Sequence, residues 1–203
     1  GNTTIPFPTL EALGGECISL GTVPAPVYPG NIDLLHLGNF LEQNKGKVAM
    51  IYIDLQGEGY QPVSPVNLEA IKKLADDHQI RLIIDASCIV EAAYYAIHHD
   101  PAFKSWNLGL MIHTLAGLCH TLLFDAGQDA MSNVGGFLAT NNADDNVHYQ
   151  NAVVMFEGLH TYGGMAGRTM EVVATGLREM VDPLMAEWTD HQVGVLAGVL
   201  EKG

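Results

Sequence analysis

Several positions in this 203-residue chain pair a reactive side chain with a setting that could use it. Asp85 ends the run Arg81-Leu82-Ile83-Ile84-Asp85, which reads as a short strand. Layered α/β sheets place ligand-contacting groups at the carboxyl ends of strands, and the alternative for Asp85 is to cap the helix that follows. Glu58 lies in a loop between Gly57 and Gly59. A partly buried Glu whose pKa rises toward neutrality can carry protons, whereas a solvated one does nothing. His160 stands in a second glycine-rich stretch, where it serves either as an acid/base group or as a local hydrogen-bond partner. Cys88 follows Asp85 closely but has no evident base partner in the sequence. His98-His99-Asp100 could suggest a metal, but adjacent helical residues point roughly 100° apart and no third ligand has a suitable spacing, so no metal is expected.

The elements that would position these groups follow from pattern. Residues 1–30, rich in Pro and Gly, read as an extended arm. Asp33 can cap a helix over 34–44, and Ser64-Pro65 can start another over 66–78. Residues 47–55 have the composition of a buried strand, followed by strands at 81–85, 121–124 and 135–140. Further helices are expected over 89–98, 108–116 and 145–157, and over 167–201 with a break near Pro183. Strands alternating with helices argue for a layered α/β fold with a mostly parallel sheet. The whole chain, 1–203, is read as a single domain.

Composition narrows the function classes. Hydrophobic residues make up 48% of the chain, enough to fill a core, and the net charge is −14. That charge disfavours nucleic acid and anionic membrane surfaces. No stretch approaches the roughly 18 uninterrupted apolar residues of a spanning helix, and no secretory pattern opens the sequence. Three widely spaced cysteines do not make a disulfide framework, so a reducing cytoplasm is the simplest setting.

Several motifs stand in one order along the chain: Gly30-Asn31-Ile32-Asp33-Leu34, Gln61-Pro62-Val63-Ser64, Asn67-Leu68-Glu69-Ala70, Asp85-Ala86, and Glu91-Ala92-Ala93-Tyr94-Tyr95. After them come Asn133-Val134-Gly135-Gly136-Phe137, Glu157-Gly158, Thr161-Tyr162-Gly163-Gly164-Met165-Ala166-Gly167-Arg168, and Gly176-Leu177-Arg178-Glu179. Together they resemble the large domain of the β-eliminating lyases that act on aromatic amino acids, tryptophanase and tyrosine phenol-lyase. The resemblance implies the large-domain architecture of fold-type I pyridoxal-phosphate enzymes and a homodimer.

It also implies a changed pocket. The family's cofactor-bearing lysine falls at Gln128, and no lysine occurs between Lys104 and Lys202. An amide nitrogen cannot form the imine. Asp125 stands where the family has a phosphate-binding serine, Cys88 where it has an arginine, and Gln56 where it has an asparagine. A carboxylate beside a phosphate is repulsive by several kcal/mol in a dry site. The matched region opens after the family's phosphate loop and closes before most of its C-terminal domain, so the expectation is a truncated relative that uses no pyridoxal phosphate. The resemblance keeps Asp85, places Glu58 and Tyr60 in the loop before Gln61, and lines the pocket with Phe156, Tyr162 and Arg168. The expected activity is cofactor-independent, within specialised metabolism. An aromatic amine or amino acid such as tryptophan would form an imine with an aldehyde and cyclise in the Pictet–Spengler manner, with Glu58, Asp85 and His160 as acid/base groups. The competing expectation is an inactive relative that serves as a binding or assembly partner.

Overall fold

The computed structural model describes residues 11, 14–23, 25–55, 61–156, 158 and 165–201, leaving aside the side chain of Phe156. Among these residues four strands form one sheet in the order β1 (Met50–Asp54), β2 (Arg81–Asp85), β3 (Thr121–Asp125) and β4 (Gly136–Thr140). The first three are parallel and β4 is antiparallel to β3. Seven helices accompany them: α1 (Leu34–Gln43), α2 (Pro65–Asp77), α3 (Ile89–His99), α4 (Leu108–Gly117), α5 (Ala143–Phe156), α6 (Gly167–Glu179) and α7 (Pro183–Leu200). This is the mostly parallel α/β architecture expected from the sequence. It is consistent with part of the large domain of fold-type I pyridoxal-phosphate enzymes.

The local causes are visible at the helix starts. Asp33 accepts from the amide of His36 at 2.9 Å and Ser64 from that of Asn67 at 3.0 Å, so each satisfies a first-turn donor that the helix leaves unpaired. Pro65 takes the first-turn position of α2, where a missing N–H costs nothing. Leu68, Ile71 and Ala75 recur at helical spacing and are fully buried, as are Leu82 and Ile84 of β2. Each such leucine or isoleucine contributes about 1.5–3 kcal/mol on burial. Pro183 marks the break between α6 and α7, and the Asp182 side chain caps α7 by accepting from the amide of Leu184.

Two of the sequence motifs prove to be a clamp. The Asn31 carboxamide accepts from the Ser64 amide, and Asn67 exchanges two hydrogen bonds with the backbone of Ile32. Gly30 packs so closely on the Gln61 carbonyl that a Cβ there would collide with it. These contacts tie the end of the extended arm to the start of α2. The arm is also held by an antiparallel bridge between Thr22 and Ile32.

The register sets up the edge that follows. Asp54 at the end of β1 pairs with Asp85 at the end of β2, and β3 also ends in an aspartate, Asp125. All three parallel strands therefore carry a carboxylate at the same edge of the sheet. Among the described residues no helix is long and apolar enough to cross a membrane.

Candidate active site

The carboxyl edge of β2 is built around Asp85, which is only 7% exposed. Its Oδ2 accepts from the Tyr52 hydroxyl at 2.9 Å. Its Oδ1 accepts from the Ser87 amide at 3.1 Å and the Ser87 hydroxyl at 2.6 Å. A buried carboxylate demands such partners, because leaving it unpaired costs several kcal/mol. The helix-cap alternative for Asp85 is not what occurs. Helix α3 starts at Ile89 with Cys88 in the cap position, and Cys88 makes no side-chain cap bond.

The cap comes from elsewhere. Asp129, on the turn after β3, accepts from the Val90 amide through Oδ2 at 2.6 Å. Ser87 joins the same turn to β2: its hydroxyl accepts from the Asp125 amide at 2.9 Å and its carbonyl from the Asp129 amide at 3.3 Å. The turn is braced internally by Gly127 donating to the Asp125 carboxylate and by the Ser132 amide donating to the Ala126 carbonyl. Gly176 of α6 presses against the Ala130 carbonyl so tightly that no Cβ fits between them.

Burial and like charge govern the titration here. Desolvation pushes the Asp129 carboxyl up to about 7; the Val90 amide opposes that rise and the Glu91 carboxylate adds to it. Burial also pushes the Cys88 thiol up to about 12, reinforced by the carboxylates of Asp129, Glu91, Asp54 and Asp85. Both causes favour the neutral thiol at Cys88 and speak against a nucleophile there. The Glu91 carboxyl is raised by desolvation and pulled back by its hydrogen bond from Cys88.

Among the expected site residues, Asp85 and Cys88 come together at this edge. Gln128 sits on the adjoining turn, exposed, with its amide donating to the Asp125 carbonyl. Arg168 lies exposed in the first turn of α6. Gln56, Glu58, Tyr60, His160 and Tyr162 lie outside the described residues, as does the side chain of Phe156. Sequence reasoning missed Tyr52, Ser87 and Asp129. Asp129 carried one usable signal, a carboxylate directly after the Gln128 position in a glycine-bearing turn. Residues 125–135 contain no lysine or arginine. The His98 and His99 rings each stack on the tyrosine one turn earlier, Tyr94 or Tyr95.

Asp54, Asp85 and Asp125 at the strand ends and Asp129 on the adjoining turn make this edge acidic. Comparison with known proteins adds ancestry. The family described as Beta-eliminating lyase matches residues 9–201. A tyrosine phenol-lyase of Nostoc punctiforme is 35% identical over 158 residues, which cover 76% of this chain and 34% of that protein. A probable tryptophanase of Aeropyrum pernix is 32% identical over 175 residues, covering 85% and 38%. A probable beta-eliminating lyase of Trichomonas vaginalis is 32% identical over 177 residues, covering 86% and 39%. The chain thus spans between a third and two fifths of the length of these relatives.

Proposed function

Because this chain belongs to the beta-eliminating lyase family, we propose that it acts on tryptophan or a related aromatic amine, and does so without pyridoxal phosphate. The relatives named for tyrosine and tryptophan chemistry support the substrate class. The single observation that carries the reading is the carboxylate-lined edge: Asp54, Asp85 and Asp125 end three parallel strands, and Asp129 adjoins them. Such an edge favours an ammonium group and disfavours a phosphate. By the family resemblance Gln128 offers an amide where an imine needs an amine, and Asp125 stands at the phosphate-binding position, which supports a site that takes no phosphorylated aldehyde.

In this reading the amine adds to an aldehyde carbon, and the resulting carbinolamine loses water to leave an iminium ion. The aromatic ring carbon attacks the iminium carbon, a C–C bond forms, and the ring proton departs to a base. The balance is amine plus aldehyde giving cyclised amine plus water, a Pictet–Spengler-type reaction with no redox partner. Asp129, titrating near 7, can give the proton that releases water and later take the ring proton. Asp85, fixed by Tyr52 and Ser87, supplies the negative field for the iminium ion. The proposal also assigns acid/base roles to Glu58 and His160, and binding roles to Gln56, Tyr60, Cys88, Gln128, Phe156, Tyr162 and Arg168. It treats residues 1–203 as one domain that pairs as a homodimer.

The test is incubation of the purified protein with tryptophan and an aldehyde, following the cyclised product by chromatography. Product above the uncatalysed rate, lost in Asp129→Ala, supports the proposal; product at the background rate rejects it. The reading as an inactive assembly partner draws on one observation, the exposed apolar side chains of α7, including Val193, Leu196 and Leu200. Light scattering at a series of concentrations, together with a null result in the turnover assay, would favour it.

A further inference from the structure

A second acid-bearing site lies outside the carboxyl edge. Helices α3 and α7 border a groove of about 570 Å³ lined by Tyr94, Leu184, Glu187, Trp188, Asp190 and His191. That volume falls within the range of small-molecule sites. Its lining combines two aromatic rings with two carboxylates. Trp188 is 55% exposed, which leaves much of its ring open to a ligand. Tyr94 is held in place from behind, because the His98 ring stacks on it at 3.8 Å between centroids and its Nδ1–H donates to the Tyr94 carbonyl. Glu187 and Asp190 line the same groove as the Tyr94 ring, and the Tyr94 hydroxyl is raised first by desolvation and then by these two carboxylates.

Helical spacing explains the arrangement. Leu184, Glu187, Trp188 and His191 recur at i, i+3, i+4 and i+7 along α7, which puts them on one face, while Asp190 flanks that face. The N-terminal half of α7 thus presents aromatic and acidic groups, whereas the half from Val193 to Leu200 carries no charge.

We propose that the α3–α7 groove binds a small organic ammonium ion, with the faces of Trp188 and Tyr94 receiving the cationic head and Glu187 and Asp190 providing the countercharge. Aromatic faces attract cations through their quadrupole, and flanking carboxylates add to the attraction. A neutral ligand of the same shape gains only the apolar contact. An anion is repelled. The inference is independent of any turnover at the carboxyl edge, because it concerns equilibrium binding at a different face of α3.

The test is isothermal titration of the full chain with choline and, in parallel, with its neutral isostere in which carbon replaces the quaternary nitrogen. Saturable choline binding is expected, with the isostere weaker by about tenfold. Trp188→Ala and the pair Glu187→Gln with Asp190→Asn should each weaken choline binding by about fivefold or more. These residues are exposed, so circular dichroism and the thermal midpoint of each variant should match the parent. A Trp188→Phe variant, which keeps an aromatic face, should retain most of the affinity. Three results would overturn the proposal: no saturable choline binding, equal binding of the isostere, or unchanged affinity in both the tryptophan and carboxylate variants.

Discussion

Two regions of this molecule concentrate acids, and they use them in opposite settings. At the carboxyl edge of the sheet Asp85 is buried, shared among Tyr52 and Ser87, and neighboured by an Asp129 carboxyl raised to about 7. In the α3–α7 groove Glu187 and Asp190 are exposed beside aromatic rings. In the proposed readings the same side-chain chemistry serves as a proton carrier where water is excluded and as a countercharge where water is present. Burial, more than residue type, assigns the task.

The largest effect expected is at the buried acid. Asp85→Ala removes the acceptor for the Tyr52 hydroxyl and for both the amide and the hydroxyl of Ser87. Urea denaturation should show a loss of about 3 kcal/mol, since each orphaned buried donor costs about 1–3 kcal/mol. Next is Gly176→Ala, which drives a methyl group into the Ala130 carbonyl and pushes α6 off the turn that carries Asp129. Overpacking of this kind costs about 2 kcal/mol, read by the same denaturation.

The third effect is a pH dependence with a definite sign. Asp129 titrates at about 7 in the folded chain against an ordinary value of 3.8. Between these values the folded state holds a proton that the unfolded chain has released, so stability falls as pH rises across the window. Asp129→Asn keeps an oxygen for the Val90 amide and should flatten that fall, by on the order of 3 kcal/mol between pH 4 and 7. Asp129→Ala should flatten the fall in the same way, with its whole curve set about 1 kcal/mol below that of Asp129→Asn by the uncapping of α3. The smallest effect is Trp188→Ala in the groove, whose unfolding free energy should stay within about 0.5 kcal/mol of the parent. A large loss there would erase the contrast between the two regions.

Much of the scaffold was legible because its causes are local. The run Arg81–Asp85 is a strand with the bounds read from its pattern, Asp33 and Ser64 cap the helices they precede, and Pro183 divides α6 from α7. What the sequence hid is non-local. Asp129 caps a helix 39 residues earlier in the chain, and Ser87 reaches 38 residues ahead to Asp125. No periodicity encodes such a pairing. Asp85 was read either as a site residue or as a cap, and the cap alternative failed because Cys88 stands between it and α3. The motif Gly30-Asn31-Ile32, which reads as a family signature, serves in the structure to clamp the arm onto α2.

The central claim is that chemistry at the carboxyl edge runs on the protein's own carboxyl groups. Saturating the purified protein with pyridoxal phosphate, reducing with borohydride and measuring the intact mass tests it directly. The account predicts no stoichiometric pyridoxyl adduct and no aldimine absorbance before reduction. A single stoichiometric adduct mapped to one lysine, accompanied by that absorbance, would contradict it.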